Sequence, residues 1–385
     1  MTDETKAADD TATYEVAADE VALDLKPKVI LLGGMAAALL LLGGLYLVWA
    51  RDRVNNDIVD RNERAQLVVD EFEASRGPTD EPLATVEPVL ESGPSLASGE
   101  VLAVHRVPGD DYGRLLIRHL DGTRTLLNRT CMRAHIATDH GVCLAESGGV
   151  LGVAFTTTFF EADNLNADIK SYASPLPSRA RISPNGTFSA VTAFVSGSSY
   201  ADIAAETTTL VTIDEIDSTR LVRGANQFTI DSGEARFNNL NPQYWGITFA
   251  ADEDEIYLTG FFGDRPEVMH GTLNNMVIEP TGWVGSCPSL SPDGKTLVFK
   301  EMTADNSFEL VAVDLETNTK HKLGETRSVD DQVEWLDNDT ILYALHRAGG
   351  DTAVQPEFDI WMVDIAEGSE PKLFLPNADS PAVAR

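Results

Sequence analysis

From Ser98 to Arg385 the chain alternates apolar and polar positions in short runs broken by Asp, Asn, Gly and Pro. A period of two is the signature of β-strands with one face turned to a core. The clearest stretch is Ser286–Glu325. Cys287–Leu290 reads as a short first strand, and Ser291-Pro292-Asp293-Gly294 leads into a turn. Pro presets φ there, Asp bonds its own backbone and Gly accepts a positive φ. Thr296–Lys300 puts Leu297 and Phe299 on one face, Phe308–Leu315 alternates again, and Lys320–Leu323 is a short polar fourth strand after the break at Glu316-Thr317-Asn318. A sheet this small cannot bury both faces alone, so it needs neighbours like itself.

Degraded copies of the unit are present. Arg181–Phe194 repeats the strand, the Ser183-Pro184-Asn185-Gly186 turn and the second strand. Thr248–Leu258 repeats it with an acidic turn. Gln332–Leu345 repeats it with Leu336-Asp337-Asn338-Asp339 as the turn, and Phe358–Ile365 matches Phe308–Leu315. Pro292 and Asp337 are about 45 residues apart, a spacing typical of propeller blades. Gly99–Val107, Gly113–Leu120 and Thr123–Asn128 form three strands that lack a fourth, while Ser380–Arg385 is a strand without a blade. Together they complete one sheet, which closes a ring and removes its open edge. With further blades near Ala134–Leu176, Arg181–Arg223, Tyr244–Ile278, Pro288–Leu323 and Val333–Phe374, the expected fold is an all-β, six-bladed propeller. Five or seven blades remain open, because Cys131–Ser178 is ambiguous and Ser196–Ala235 reads as a long insertion.

Leu290-Ser291-Pro292-Asp293-Gly294-Lys295 with the later Val313-Asp314-Leu315 resembles the WD40-like (PD40) repeat of TolB-like β-propeller proteins, over roughly residues 98–385. The resemblance implies a bacterial, membrane-anchored propeller, one face of which binds a protein or peptide of the cell envelope. It singles out no residue for that role.

The N-terminal part has a different pattern. Val29–Ala50 holds no charge over 22 residues, enough for a helix to cross a hydrocarbon core of about 30 Å. Lys26 and Lys28 flank one end, and Tyr46 and Trp49 lie near the other. The competing reading, a cleaved signal peptide ending at Val48-Trp49-Ala50, requires an apolar core longer than signal peptides use. Residues 1–28, with eight acids and three lysines, read as a disordered tail. Residues 51–76 read as a helical stalk, with Ile58, Ala65, Val68 and Phe72 near helical spacing. Residues 77–97, with Pro78, Pro82, Pro88 and Pro94, read as an acidic, semi-rigid linker. Arg51, Arg53, Arg61 and Arg64 outnumber Lys26 and Lys28, which leans towards a cytoplasmic C-terminal side. Long domains cross regardless of such counts, and a paired-cysteine reading and the resemblance place the head outside. The expectation is a single-pass protein of the cell membrane, N-terminus cytoplasmic and propeller extracytoplasmic.

The formal net charge of −32, from 61 acids against 29 Lys and Arg, argues against a nucleic-acid partner, which needs a basic face. Of three cysteines, Cys131 and Cys143 bracket eleven residues, close enough for a disulfide in an exported domain. With His135 and His140 they also make four ligands of the type that hold tetrahedral zinc, although the spacing matches no standard finger. Cys287 reads as a buried apolar residue. Acid-rich turns at 110–111, 252–255, 330–331 and 337–339 show no calcium-loop pattern. Asn128, Asn185 and Asn338 head glycosylation sequons. No nucleophile elbow, phosphate loop, dinucleotide fingerprint or HExxH motif occurs. The expected function is therefore a non-enzymatic binding or scaffold module, with no cofactor. The alternatives are an enzyme with a channel-centred site, a hydrolase or lyase on a glycan, lactone or peptide, and a sensor signalling through the helix.

Overall fold

The alternating runs become strands because both of their faces find a neighbouring sheet. In the computed structural model they form six sheets, the blades of a propeller. The structure describes residues 86–87, 94–149, 152–196, 208–217, 221–234, 237, 242–262, 265–304, 307–347 and 355–385. Among the described residues no helix is long and apolar enough to cross a membrane. The expected tail, membrane span Val29–Ala50 and stalk lie outside them.

Blade 1 is built from both ends of the described chain. Its innermost strand is Ala378–Val383, followed outward by Val101–His105, Arg114–Arg118 and Arg124–Thr130. Val86–Glu87, from the Pro-rich stretch read as linker, adds a short parallel strand at the outer edge. Blade 2 runs outward through Arg133–Ala137, His140–Gly149, Gly152–Glu161 and Asp168–Ser174. Blade 3 comprises Leu176–Ile182, Phe188–Ser196, Thr208–Glu215 and Leu221–Gly224. Blade 4 comprises Gln243–Phe249, Glu255–Phe261, Pro266–Thr272 and Val277–Val284, with Thr229–Ile230 parallel at its rim. Blade 5 comprises Ser286–Leu290, Thr296–Met302, Phe308–Asp314 and Thr319–Lys322. Blade 6 comprises Glu334–Trp335, Thr340–His346, Phe358–Asp364 and Lys372–Leu375.

The expected insertion at Ser196–Ala235 is corrected by this layout. It contains the outer two strands of blade 3 and the added strand of blade 4. Thr208–Glu215 is rich in Thr and acids, and such a strand near the outer edge carries a weak apolar alternation. The stretch Cys131–Ser178 supplies the four strands of blade 2 and the start of the first strand of blade 3.

Strand period places the core between blades. Leu297 and Phe299 pack towards blade 4 with Tyr257 and Val268. Val298, between them, packs towards blade 6 with Trp335 and Tyr343. The same division recurs in blade 1, where Leu115 and Ile117 meet blade 2 and Leu116 meets Leu342 and Ile360 of blade 6. Apolar clusters thus lie on both faces of every blade, the seam between blades 6 and 1 included.

The inner strands also carry bulges. Registers between first and second strands shift in blades 1, 3, 4 and 5. Gly246, Cys287 and Ser380 adopt φ of 61°, 53° and 53° there. A bulge releases backbone groups from the ladder. Buried threonines of the preceding blade accept them: the Gly246 N–H donates to Thr192 Oγ1 at 3.3 Å and the Cys287 N–H to Thr259 Oγ1 at 2.8 Å.

Candidate functional site

The six inner strands surround a central channel, and hydrogen bonds made from them link each blade to its neighbour. Ala134 N–H donates to Ser380 Oγ at 3.0 Å, from blade 2 to blade 1. Ile182 N–H donates to His135 Nδ1 at 3.1 Å, from blade 3 to blade 2. Gly246 continues from blade 4 to blade 3, and Leu290 N–H reaches Thr248 Oγ1 at 3.2 Å from blade 5 to blade 4. Trp335 Nε1–H reaches the Ser289 carbonyl at 3.2 Å from blade 6 to blade 5. Arg385 completes the circuit, donating from blade 1 to Glu334 at 3.0 Å and to the Trp335 carbonyl.

Charge collects in the channel. Arg133, His135, Arg179, Arg181, Glu334 and Asp379 all lie on inner strands. Glu334, 2% exposed, is paired with Arg181 and Arg385 and lies 3.3 Å from His135 Nε2. Burial works against ionisation of Glu334, but Arg181 first, then the His135 hydrogen bond and Arg385, hold its carboxyl far below the usual range. Burial lowers the pKa of His135, and Arg181 adds to that; the hydrogen bond to Glu334 opposes it. His135 Nδ1 accepts the Ile182 N–H, and Nε2 lies 3.3 Å from Glu334 and 3.1 Å from Arg181 Nη1. Gln332 extends from the connection before blade 6 to the carbonyls of Ile247, at 3.2 Å, and Pro288, at 2.8 Å, on two further inner strands.

At the end of the channel where first strands turn into second strands, a cavity of about 190 Å³ opens. Its floor is His135, Arg181, Glu334 and Arg385, and its walls include Phe249, Leu290, Pro184 and Pro292. A pocket of about 30 Å³ lies among Arg133, Arg179, Asp331 and Gln332.

Hairpin turns form the rim, which is where the turn residues singled out from the sequence come together. In blade 5 the Ser291 hydroxyl donates to Asp293 at 2.7 Å and accepts the Thr296 N–H at 2.9 Å, while Gly294 takes φ of 72°. In blade 3 Ser183 accepts the Phe188 N–H at 2.9 Å, and Gly186 takes φ of 80°. Here Asn185 replaces the aspartate, and the missing carboxylate comes from the next blade. Glu253 accepts from the Ser183 hydroxyl and from the Asn185 N–H at 2.8 Å. Partial burial opposes its ionisation, but those hydrogen bonds and Thr187 hold Glu253 below the usual range. Other rim contacts tie turns together as well: Thr138 Oγ1 donates to the Pro184 carbonyl at 2.7 Å, and Asp293 N–H to Asn338 at 3.2 Å.

The cysteines lie apart from this site. Cys131 and Cys143 form a disulfide, with Cα atoms 5.5 Å apart, in the apolar layer between blades 1 and 2. That corrects the zinc alternative, since both sulfurs are committed and both histidines engage other blades. His140 Nδ1 bonds the Gly186 carbonyl at 2.9 Å. Cys287 is buried among Trp245, Phe261 and Phe194. The channel cluster Arg181–Glu334–Arg385 escaped the sequence reading. Its signal was the polar alternation Arg133/His135, Arg179/Arg181 and Gln332/Glu334, where a half-buried strand ordinarily places apolar residues.

No protein-family model matches the chain, and no curated protein matches it. Among solved structures, TolB from Acinetobacter baumannii aligns with a TM-score of 0.51 at 16% identity, over 74% of this chain and 67% of that one. A puromycin-hydrolysing peptidase of Mycobacterium tuberculosis aligns with a TM-score of 0.43 at 14% identity, over 74% of this chain and 46% of that one. An oligogalacturonate lyase in complex with manganese aligns with a TM-score of 0.40 at 11% identity, over 64% and 70%. The likeness to TolB is one of fold: a TolB-like β-propeller.

Proposed function

We propose that the protein is a non-enzymatic, membrane-anchored binding module of the cell envelope whose propeller engages a partner protein at the hairpin end of its channel. The observation that carries this reading is the cavity there. At about 190 Å³ it is smaller than the 300–1,000 Å³ typical of small-molecule sites, and it has apolar walls over a charged floor. An acid–base catalyst needs a group that titrates near the working pH. Glu334 is instead held ionised and His135 neutral, each with partners from neighbouring blades. The same features disfavour the hydrolase or lyase alternative. The Cys131–Cys143 disulfide supports an oxidising compartment for the head. The uncharged run Val29–Ala50 supports the anchor.

The test is cross-linking in intact cells followed by purification of the protein. Wild-type chain should retain a specific protein that the Pro184→Asp, Pro292→Asp double variant loses, because both prolines sit on the exposed rim. Identical capture by both would overturn the placement of the interface, and no capture by either would overturn the binding role.

A further inference from the structure

The charged or titratable side chains lining the hairpin-end cavity are Arg181, Arg385, Glu334 and His135. Two guanidinium groups there face one carboxylate. His135 stays neutral through burial, so these side chains hold one positive charge in excess. The chain as a whole has the opposite balance, 61 acids against 29 Lys and Arg. Glu334 also leaves donors unused. Arg181 is 9% exposed, and its buried Nε–H finds no acceptor. Arg385 spends its terminal nitrogens on Glu334 and Trp335, yet its side chain is 38% exposed and open to further contact.

Size and wall chemistry narrow the occupant. The cavity exceeds the share of several water molecules, each about 30 Å³ in the liquid, and is too small for a sugar chain or a drug-sized ligand. Phe249, Leu290 and Pro292 offer apolar surface to methylene groups above the charged floor. Guanidinium groups pair well with planar carboxylates. A single carboxylate balances the excess charge, whereas a phosphate dianion would reverse it.

We propose that this cavity takes the side-chain carboxylate of one Asp or Glu residue of the partner protein, held by Arg385 and Arg181. This rests on the protein-binding reading above and specifies the chemistry the partner must present. The measurement is calorimetric titration of the full-length protein with N-acetylglutamate amide, which carries one side-chain carboxylate, and with its neutral isostere N-acetylglutamine amide. Saturable binding in the millimolar range is expected for the acid, as suits so few atoms, with the amide at least ~10-fold weaker and R385Q reducing acid binding by a similar factor. Equal binding of the two probes, no binding of the acid, or tighter binding of inorganic phosphate would each overturn the proposal. Should R385Q fail to fold, the preference of wild-type protein for acid over amide decides by itself. The cross-linked partner separates the two readings. A partner retained equally by wild type and R385Q, and not displaced by N-acetylglutamate amide, sinks the carboxylate site but leaves the binding role. Selective acid binding without any captured protein sustains the carboxylate chemistry and sinks the protein partner.

Discussion

At the residue scale, the side chains that matter most satisfy backbone groups the sheet gives up. Thr259 is fully buried and accepts the Cys287 N–H freed by a bulge. Thr259→Val keeps the shape and removes the acceptor, so it should cost about 1–3 kcal/mol, read as a lowered thermal midpoint with an unchanged fold. Gly246 has φ of 61°, and an added Cβ would lie 2.9 Å from the Cys287 Cα, a backbone atom. Gly246→Ala should therefore destabilise by at least about 1 kcal/mol in the same melt. His135 supplies a pH dependence. Its folded pKa is depressed by burial, so below the unfolded value near 6.5 the unfolded chain binds a proton that the folded chain refuses. Stability then falls as pH falls, by up to about 1.4 kcal/mol per pH unit from this group. His105 and His346, also lowered by burial, act in the same direction. Between pH 7.5 and 5.5 the midpoint of wild type should drop further than that of His135→Gln, whose amide oxygen can still accept the Ile182 N–H; parallel drops would show that His135 is not the source.

At the element scale, turns and seams are coupled across blades. The Ser183-Pro184-Asn185-Gly186 and Ser291-Pro292-Asp293-Gly294 turns look equivalent in sequence, yet one borrows its carboxylate from Glu253 of the next blade. Glu253→Ala should cost about 1–3 kcal/mol by stranding the Ser183 hydroxyl and the Asn185 N–H. Asn185→Asp in that background should recover part of the loss, because Asp293 shows that an aspartate at this place can serve its own turn. Additive effects in a double-mutant cycle would refute the exchange. The disulfide ties the connection leaving blade 1 to the second strand of blade 2. Cys131→Ser with Cys143→Ser should lower stability by about 2–4 kcal/mol, measured by denaturant unfolding, with the blades still formed.

For the whole molecule, closure is the governing feature. Ala378–Val383 supplies the innermost strand of blade 1, so residues far apart in sequence share one sheet. A chain ending at residue 377 would expose the inner edge of Val101–His105 and remove the Arg385 link to Glu334. It should lose cooperative unfolding and near-ultraviolet circular dichroism and aggregate through that edge. A monomeric product that melts as sharply as wild type would show that the ring does not need its closing strand. The inter-blade layers support the expectation of one transition for the ring, since no blade retains an apolar face without its neighbours.

The fold was legible because its cause is local. Period-two alternation, the turn residues around Pro292 and Pro184, and a blade lacking one strand beside a strand lacking a blade all follow from chain chemistry over a few neighbouring residues. The disulfide was legible as one of two readings, because spacing limits what two cysteines can reach but does not show where the adjacent histidines point. The blade near Arg181–Arg223 was legible, but Thr and acids blurred the alternation of its third strand and gave part of it the look of an insertion. The channel site was hidden for a different reason. Arg181, Glu334 and Arg385 come from three blades, and only ring closure brings them around one cavity. Likewise, the bond between Glu253 and Ser183 depends on which hairpins the propeller sets side by side. Strand and turn identity are written in nearest-neighbour chemistry. The meeting of charges in the channel depends on the angle at which blades pack, which no short stretch of the chain encodes.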